Sequence, residues 1–313
     1  MLALALTLTV FAQASSGPPA GHWTTVRPLP EPLVDAHAAA LGGKIYVAGG
    51  IDAHGQPTAH VYRYDPATDS WDRAGDLPAP RFNMPLVVLG DTLYAVGGVS
   101  GTSFRAERTL WAYRADRNEW LSRAGLPDPR GAGAAVANGH KIILMGGIRR
   151  FVDGGLSAAP DIYDAAFDSW VEVWPMPTPR DHLAAEVVNG LVYVIGGRQM
   201  SPARNSDVVE VYDPMKYLGG RWERKSPMPT ARGALGSAVV DGKIHVLGGE
   251  TATSVFGTHE VYDPANDAWT EAPPLPTPRH GVAVATLDGK IYVIGGGAQP
   301  GVSQTDVVEV YTP

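Results

Sequence analysis

The sequence of 313 residues contains no cysteine, which excludes disulfide bridges, thiolate metal sites and cysteine nucleophiles. Charged residues make up only 18% of the chain, and its net charge of −7 gives no indication of the basic surface that nucleic-acid binding requires. Glycine loops that bind nucleotides, the HExxH zinc motif and the GxSxG nucleophile motif are also missing. The nine histidines are scattered without metal-ligand spacing. These absences predict a protein that uses no metal or other cofactor.

The first residues differ in character from the rest of the chain. The uncharged apolar stretch MLALALTLTVF is followed by Ala12-Gln13-Ala14 and then by Ser, Gly and Pro. This pattern is typical of a secretory signal, although the usual basic n-region is missing. The stretch is too short to span a bilayer. We therefore predict a signal peptide at 1–14, a linker at 15–21 and export to the periplasm or outside the cell. The alternative is an ordinary disordered terminus.

The sequence is rich in glycine and proline, with 37 and 27 residues, and most of it consists of six copies of one repeat. Successive copies lie 47–52 residues apart, which is the spacing of a repeat array. Each copy begins with one of the tryptophans Trp23, Trp71, Trp120, Trp170, Trp222 and Trp269. When the copies are aligned, the position ten residues after each Trp, here called the column position, holds arginine in five of the six copies. The residues at this position are Leu33, Arg81, Arg130, Arg180, Arg232 and Arg279. Sixteen residues after the column comes Gly-Gly, at Gly49, Gly97, Gly146, Gly196, Gly248 and Gly295.

Each repeat contains four short β-rich runs separated by turn residues, which predicts four antiparallel strands. The first run is rich in small side chains, as expected for the innermost strand of a radial blade. The chain begins with a lone fourth-strand segment at residues 22–30 and ends on a third strand. The last blade therefore takes three strands from the C-terminus and one from the N-terminus, which leaves no open sheet edge. We predict a monomeric, all-β, six-bladed β-propeller over residues 22–313.

The strings KIYVAGG, KIYVIGG, VYDPATDSW, VYDPANDAW and MPTPR resemble the kelch motif. The resemblance covers about residues 22–313 and recurs six times. It implies a β-propeller with one four-stranded blade per repeat. It implies much less about activity, because unrelated functions are grafted onto such scaffolds.

Loop lengths point to one face of the predicted disc. The distance from Gly-Gly to the tyrosine of the third strand varies between 14 and 17 residues, whereas the other two intervals are constant. The variation lies in the loops between second and third strands. These loops share a face, here called the upper face, with the connections from each fourth strand to the next first strand. Variable loops on a rigid scaffold are the usual location for recognition.

The upper-face loops are also rich in arginine. We therefore predict a locally basic upper face that binds an anionic or hydroxyl-rich ligand, such as an acidic peptide or a glycan. The alternative is that these side chains are simply solvated. The loop arginines are Arg105, Arg108, Arg149, Arg150, Arg198 and Arg204.

Two sets of residues are candidates for the ligand site. The column arginines precede the inner strands, where each could point at a ligand or hold carbonyl groups between blades. Polar residues that break the repeat pattern near the channel mouth form the second set. The predicted ligand-binding residues are Arg81, Arg130, Arg180, Arg232, Arg279, Asp35, His37, Asn83, Arg149 and Arg150.

Glu186 is the most unusual side chain, because a carboxylate in the middle of an inner strand is costly unless it is paired or hydrated. It could form an ion pair or a water site. It could also be a binding or acid–base carboxylate at the base of an upper-face pocket. The same alternatives hold for His182. Asp181 and His280 belong to the opposite side-chain set and are weaker candidates.

Two functional hypotheses follow. The first is an exported, non-catalytic propeller that binds a protein or glycan, with no membrane span. Kelch domains of ubiquitin-ligase adaptors, which this chain resembles, bind acidic peptides through arginines at such a mouth. The second is an enzyme, because periplasmic sialic-acid mutarotases are similar in being exported kelch propellers. That resemblance implies an acid–base pair and a carboxylate-binding arginine, for which Glu186, His182 and Arg180 are the candidates. A structural module of the envelope is a third possibility.

Overall fold

The computed structural model describes residues 21–150, 155–216 and 219–313. Six four-stranded antiparallel sheets account for the blades, and their first strands line a central channel. The predicted six-bladed β-propeller is confirmed. The predicted signal peptide and all but the last residue of the predicted linker lie outside the described residues. No helix in the described ranges is long and apolar enough to cross a membrane.

The strands follow the repeat in chain order. Strand β1 (His22–Thr25) comes first and belongs to the last blade. Blade 1 contains β2 (His37–Leu41), β3 (Lys44–Ala48), β4 (Val61–Asp65) and β5 (Ser70–Arg73). Blade 2 contains β6 (Leu86–Leu89), β7 (Thr92–Val96), the small hairpin β8 (Val99–Ser100) and β9 (Arg105–Ala106), and then β10 (Leu110–Arg114) and β11 (Glu119–Ser122). Blade 3 contains β12 (Ala134–Asn138), β13 (Lys141–Met145), the hairpin β14 (Ile148–Arg150) and β15 (Gly155–Leu156), and then β16 (Asp161–Asp164) and β17 (Ser169–Glu172).

The second half of the ring repeats this plan. Blade 4 contains β18 (Ala184–Val188), β19 (Leu191–Ile195), a short 3₁₀ helix (Pro202–Arg204), β20 (Val209–Asp213) and β21 (Arg221–Lys225). Blade 5 contains β22 (Gly236–Val240), β23 (Lys243–Leu247), β24 (His259–Asp263) and β25 (Ala268–Glu271). Blade 6 contains β26 (Ala283–Leu287), β27 (Lys290–Ile294) and β28 (Val308–Thr312), completed by β1.

The ring closes as the sequence predicts. Strand β1 pairs antiparallel with β28, in a register that runs from His22 opposite Thr312 to Thr25 opposite Glu309. Trp23 then donates a hydrogen bond from Nε1 to the carbonyl oxygen of Pro273, at 2.9 Å. Because Pro273 follows blade 5 in the chain, the N-terminal strand joins the last two blades.

The tryptophans and tyrosines of the repeat hold the blades together. Each Trp lies 4.9–5.1 Å from the third-strand Tyr of its own blade, measured between ring centroids. Each Trp also donates from Nε1 to a backbone carbonyl that follows the preceding blade, at 2.7–3.1 Å. One residue type thus supplies both apolar contact area and a directed bond at all six seams, which explains the constancy of the repeat.

A belt of backbone hydrogen bonds encircles the top of the channel. Its members are Asp35, Asn83, Ala132, His182, Ala234 and Gly281, two residues after each column position. Every one of them has a positive φ, between 47° and 57°. The N–H of each donates to the carbonyl of the member in the preceding blade, at 2.8–3.0 Å. At Gly281 a side chain would also collide with Asp35, because an added Cβ would lie 2.5 Å from Oδ1. The belt separates an upper pocket from the channel below it.

Candidate functional site

The column arginines lie inside the blades. Arg130, Arg180, Arg232 and Arg279 are at most 1% exposed, and each pairs with a carboxylate on the third strand of its own blade. The carboxylates belong to Asp161, Glu210, Glu260 and Glu309, with N–O distances of 3.2, 2.5 and 2.7 Å in the last three pairs. The guanidinium groups also donate to nearby backbone carbonyls. These four arginines therefore have the structural role, because they are buried in ion pairs inside their own blades. The prediction that they contact a ligand is corrected accordingly.

The first two blades replace this ion pair by other contacts. In blade 2, Arg81 is 6% exposed, lies 4.9 Å above the Trp111 ring and reaches Glu107 at 4.0 Å. In blade 1, where the column holds Leu33, the position of the carboxylate is taken by Tyr62, and the two residues share an apolar cluster. In blade 1 the column residue and the third-strand residue thus change together, which explains why Leu33 interrupts the arginine series.

Above the belt lies an open pocket of about 260 Å³, here called the upper pocket. One bridge per blade joins the residue after each column position to the residue after Gly-Gly. The pairs of blades 1–3 are apolar and those of blades 4–6 carry the polar side chains. The apolar pairs are Val34–Ile51, Phe82–Val99 and Gly131–Ile148. The other pairs are Asp181–Arg198, Gly233–Glu250 and His280–Gly297.

A hydrogen-bonded network forms the polar half of the upper pocket. Asp181 accepts from His182 Nδ1 at 2.5 Å, from Arg198 Nε at 3.3 Å and from the Met200 N–H at 2.7 Å. Arg198 also donates from Nη1 to Glu250, at 2.7 Å. Burial alone would raise the pKa of Asp181, but the hydrogen bonds from His182 and Met200 and the charge of Arg198 hold it below its usual value. The side chains of this network are therefore held in place by one another, and their charges are paired.

Two acceptors around the upper pocket lack a donor in the described part of the chain. The partly exposed Asp35 carboxylate lines the pocket, and within the described residues no hydrogen bond or ion pair to it is seen. His280 is 4% exposed and donates from Nε2 to the Gln299 carbonyl at 3.0 Å, while its buried Nδ1 makes no hydrogen bond. Nδ1 lies 3.7 Å from Glu250. The partly exposed Asp35 carboxylate can therefore accept a hydrogen bond from a ligand, whereas His280 Nδ1 is buried and does not reach the pocket surface.

The predicted basic character of the upper face is offset by acidic neighbours. Arg105 pairs with Glu107 at 3.1 Å, and Asp128 accepts from Arg108 at 3.5 Å and from Arg149 at 3.0 Å. Arg150 is exposed on β14, and neither it nor Arg149 lines the upper pocket. The acidic partners were missed because some of them lie in the connections between blades, away from the arginine-rich loops.

Glu186 lies below the belt, although the sequence suggested the base of an upper-face pocket. It lines the channel cavity of about 390 Å³ and accepts from Ser237 Oγ of the next blade, at 2.7 Å. Burial raises the pKa of Glu186 to about 7. His37 lines the same channel, where burial and the proximity of His182 lower its pKa to about 4.

The three residues suggested for an enzyme do not converge on one site. Arg180 is enclosed in blade 4 with Glu210, Glu186 faces the channel, and His182 lies at the belt. Asp35, Asn83 and His182, by contrast, all reach the upper pocket. Within the described ranges no cluster of three or more His, Asp or Glu side chains could hold a metal ion.

Sequence reasoning underrated Asp181 and His280 and missed Glu250 as part of the site. A signal was present, because these residues break two columns that are apolar or glycine in most other repeats. The pattern becomes clear when the residue after each column position is compared with the residue after Gly-Gly in the same blade. These two positions are joined by a β-bridge, which only the structure shows.

Comparison with known proteins supports the same family. A model of the KLHDC2/KLHL20/DRC7 kelch-repeats domain matches residues 135–311, and a kelch motif model matches residues 32–78. The chain is 29% identical over 262 residues to Kelch-like protein terF of Aspergillus terreus, covering 79% of this chain and 46% of that protein. It is 30% identical over 257 residues to Kelch-like protein 36 of Bos taurus, covering 79% and 41%. The chain thus spans less than half the length of either relative.

A solved structure, that of YjhT, superposes with a TM-score of 0.78 at 14% identity, covering 90% of this chain and 95% of that one. At that identity the match shows a shared fold. The weaker resemblance to sialic-acid mutarotases is not confirmed by these comparisons. The kelch-repeats model extends over more than half of the sequence, and six blades with recurring Gly-Gly, Tyr and Trp complete the pattern. The chain therefore belongs to the kelch-repeat β-propeller family.

Proposed function

We propose that this protein is a binding propeller whose upper pocket holds an exposed segment of a partner protein. The segment presents an apolar side chain to the bridge pairs of blades 1–3 and hydrogen-bond donors to the Asp35 carboxylate and to blades 4–6. The observation that carries the proposal is the division of the bridge pairs around the pocket into an apolar half and a polar half. Kelch propellers are commonly protein-binding scaffolds, which supports the same conclusion.

The apolar half supplies affinity. Ile51, Phe82 and Ile148 line its floor, and Phe104 of blade 2 stands at the rim with 44% of its surface exposed. Val302, in the loop between β27 and β28 of the neighbouring blade 6, adds a second apolar rim residue that is 62% exposed. Burying one apolar side chain against such a wall contributes about 1.5–3 kcal/mol. The rim residues gain most, because they lose the most water on binding.

The polar half selects for donors. Asp181 and Glu250 of blades 4–6 and Asp35, just before β2 of blade 1, place three carboxylates around the pocket, whose lining contains one guanidinium, that of Arg198. An acidic peptide would add a further negative charge to this set, whereas hydroxyl, amide or ammonium groups would donate to the Asp35 carboxylate. Of the two ligand classes that the sequence suggested, the geometry favours the hydroxyl-rich one. Glycan hydroxyls offer the same donors and are an alternative outcome of the test.

The test begins with a phage-displayed peptide library selected on residues 21–313. We expect enriched peptides to combine an aliphatic or aromatic residue with neighbouring Ser, Thr, Asn, Gln or Lys. The Asp35→Asn variant removes the charge without changing the backbone, because Asn tolerates positive φ. We expect it to weaken binding of the selected peptides by about tenfold or more, as loss of a charged hydrogen bond does. Val302→Asp should have a similar effect. Fluorescence anisotropy measures both affinities.

Arg114→Ala provides the control, because Arg114 pairs with exposed Asp116 at the turn between β10 and β11, on the face opposite the upper face (the lower face). It should leave the affinity unchanged. Enrichment of acidic peptides, or equal binding by Asp35→Asn, Val302→Asp and the parent protein, would overturn the proposal. Enrichment of no peptide, together with binding on a glycan array that Asp35→Asn abolishes, would assign the pocket to glycans instead.

We also propose that the protein is exported, on the basis of the apolar stretch at residues 1–14. Expression of the full sequence in a Gram-negative host should deliver a periplasmic protein that starts at Ser15. Mass spectrometry of the periplasmic and cytoplasmic fractions checks this. A cytoplasmic protein that retains Met1 contradicts it.

A further inference from the structure

The seam between blades 5 and 6 contains two histidines that the other seams lack. His245 lies on β23 and His259 on β24. The positions equivalent to His245 hold Tyr46, Tyr94, Ile143, Tyr193 and Tyr292. The positions equivalent to His259 hold Val61, Leu110, Pro160, Val209 and Val308. An apolar seam has thus become titratable at the place where the N-terminal strand closes the ring.

The two imidazoles are buried and bonded to each other. His245 is 6% and His259 2% exposed, and His245 Nδ1 lies 2.8 Å from His259 Nε2. His259 Nδ1 lies 3.1 Å from the Pro273 carbonyl, so it must donate there, because a carbonyl only accepts. In the neutral pair His259 Nε2 is then the acceptor and His245 Nδ1 carries the proton. If both rings were fully protonated, two N–H groups would point at each other.

The pair is coupled directly to the closure strand. The Pro273 carbonyl that accepts from His259 also accepts from Trp23 Nε1 at 2.9 Å. The Trp23 and Tyr311 rings lie 5.8 and 4.8 Å from the His259 ring, so they enclose it on the side of blade 6. A charge on His259 would therefore be placed among aromatic rings, at the contact that holds β1 in position.

The charged groups around the pair do not favour protonation. Burial, and next to it the Lys243 charge, lowers the pKa of His245 to about 4, with Asp241 opposing. Burial, followed by the neighbouring His245, lowers the pKa of His259 to about 3; the Pro273 carbonyl opposes this and the Arg232 charge adds to it. Arg232 itself is paired with Glu260, while Glu271 lines the adjoining surface cavity. No carboxylate in the described residues forms an ion pair with either ring.

We propose that this seam is an acid-sensitive opening point, at which protonation of the histidine pair releases β1 and separates blades 5 and 6 before the rest of the propeller unfolds. In the opened state both histidines regain their ordinary pKa near 6.5. The opened state then binds more protons than the closed one, so closure loses stability as the pH falls. The stabilisation is complete above about pH 6.5 and decreases from there towards pH 4.

Hydrogen exchange with mass spectrometry tests this on residues 21–313 at pH 7.5 and pH 5, with labelling times corrected for the intrinsic exchange rate. We expect protection of peptides from β1 and β24 to fall by about tenfold or more at pH 5. Peptides from β7 and β10 in blade 2 should keep their protection. The double variant His245→Tyr/His259→Val copies the Tyr193 and Val209 pair of blade 4 and should abolish the difference.

Unchanged protection of β1 and β24 at pH 5 in the parent protein would overturn the proposal, whether or not the double variant folds. An equal loss of protection in the parent and the folded double variant would also overturn it, as would a loss that spreads evenly over all blades. The experiment needs no ligand, so its outcome is independent of the function proposed for the upper pocket.

Discussion

A Glu210→Ala substitution is expected to destabilise the protein by about 3–5 kcal/mol, because it leaves the Arg180 guanidinium buried without a counter-charge. Arg180 is 0% and Glu210 1% exposed, and their N–O distance is 3.2 Å. Glu210 also accepts from Thr178 at 2.7 Å, so the substitution removes a second bond. Urea unfolding followed by tryptophan fluorescence gives the change in the free energy of unfolding.

Two further variants make this result specific. Asp116→Ala removes the exposed partner of Arg114, and such surface pairs contribute about 0–1 kcal/mol. The double variant Arg180→Met/Glu210→Leu removes both buried charges and should recover most of the stability, because apolar pairs of similar size often replace buried ion pairs at little cost. If Glu210→Ala were as mild as Asp116→Ala, the buried ion pairs of the column arginines would not stabilise their blades as described.

Removal of the closure strand is expected to have the largest effect of all. A chain beginning at residue 31 lacks β1, the indole of Trp23 and the buried Leu29 side chain, which is 2% exposed. Loss of a large packed side chain alone costs about 3–5 kcal/mol. The truncation also turns β28 into an open edge that presents unpaired backbone groups. We expect a melting temperature lower by about 10 °C or more, or failure to fold.

The matched control is a chain beginning at Gly21, which keeps β1 complete. Its melting temperature by differential scanning calorimetry should equal that of the full sequence freed of residues 1–14. Similar melting temperatures for chains that begin at residues 21 and 31 would show that β1 does not close the ring.

The fold was predictable because its determinants are local and repeated six times. Strand period, turn residues and the Trp and Gly-Gly positions recur at fixed intervals, so each copy supports the interpretation of the others. The unpaired fourth strand at the start and the missing one at the end predicted the closure that the pairing of β1 with β28 confirms.

The belt could not be predicted, because it depends on backbone conformation. Asp35, Asn83 and Gly281 are residue types that tolerate positive φ, but Ala132 and Ala234 gave no such indication. Five of the six hydrogen bonds of the belt join residues about 50 positions apart, and the sixth joins Asp35 to Gly281 across the ring closure. Neither the conformation nor the pairing leaves a periodic trace in the sequence.

The candidate site was predictable in its location and only partly in its residues. Loop variation pointed to the upper face, and Asp35, Asn83 and His182 do reach the upper pocket. The column arginines were misplaced because a sequence does not show which way a side chain turns at a strand entrance. Their partners, such as Glu210, lie some 30 residues away on the third strand. Glu186 was placed at the wrong level because the belt that separates pocket from channel was not foreseen.

The measurement that tests the central claim most directly is a footprint of a bound ligand on the propeller. Hydrogen exchange of residues 21–313, with and without a selected peptide at saturating concentration, locates the contact by protection. The account predicts protection confined to the upper-face segments that line the pocket, around Ile51, Phe104, Arg198 and Val302, and weaker protection in Asp35→Asn at a peptide concentration that just saturates the parent protein. Protection of the lower-face turns, or of the channel strand that carries Glu186, would contradict it.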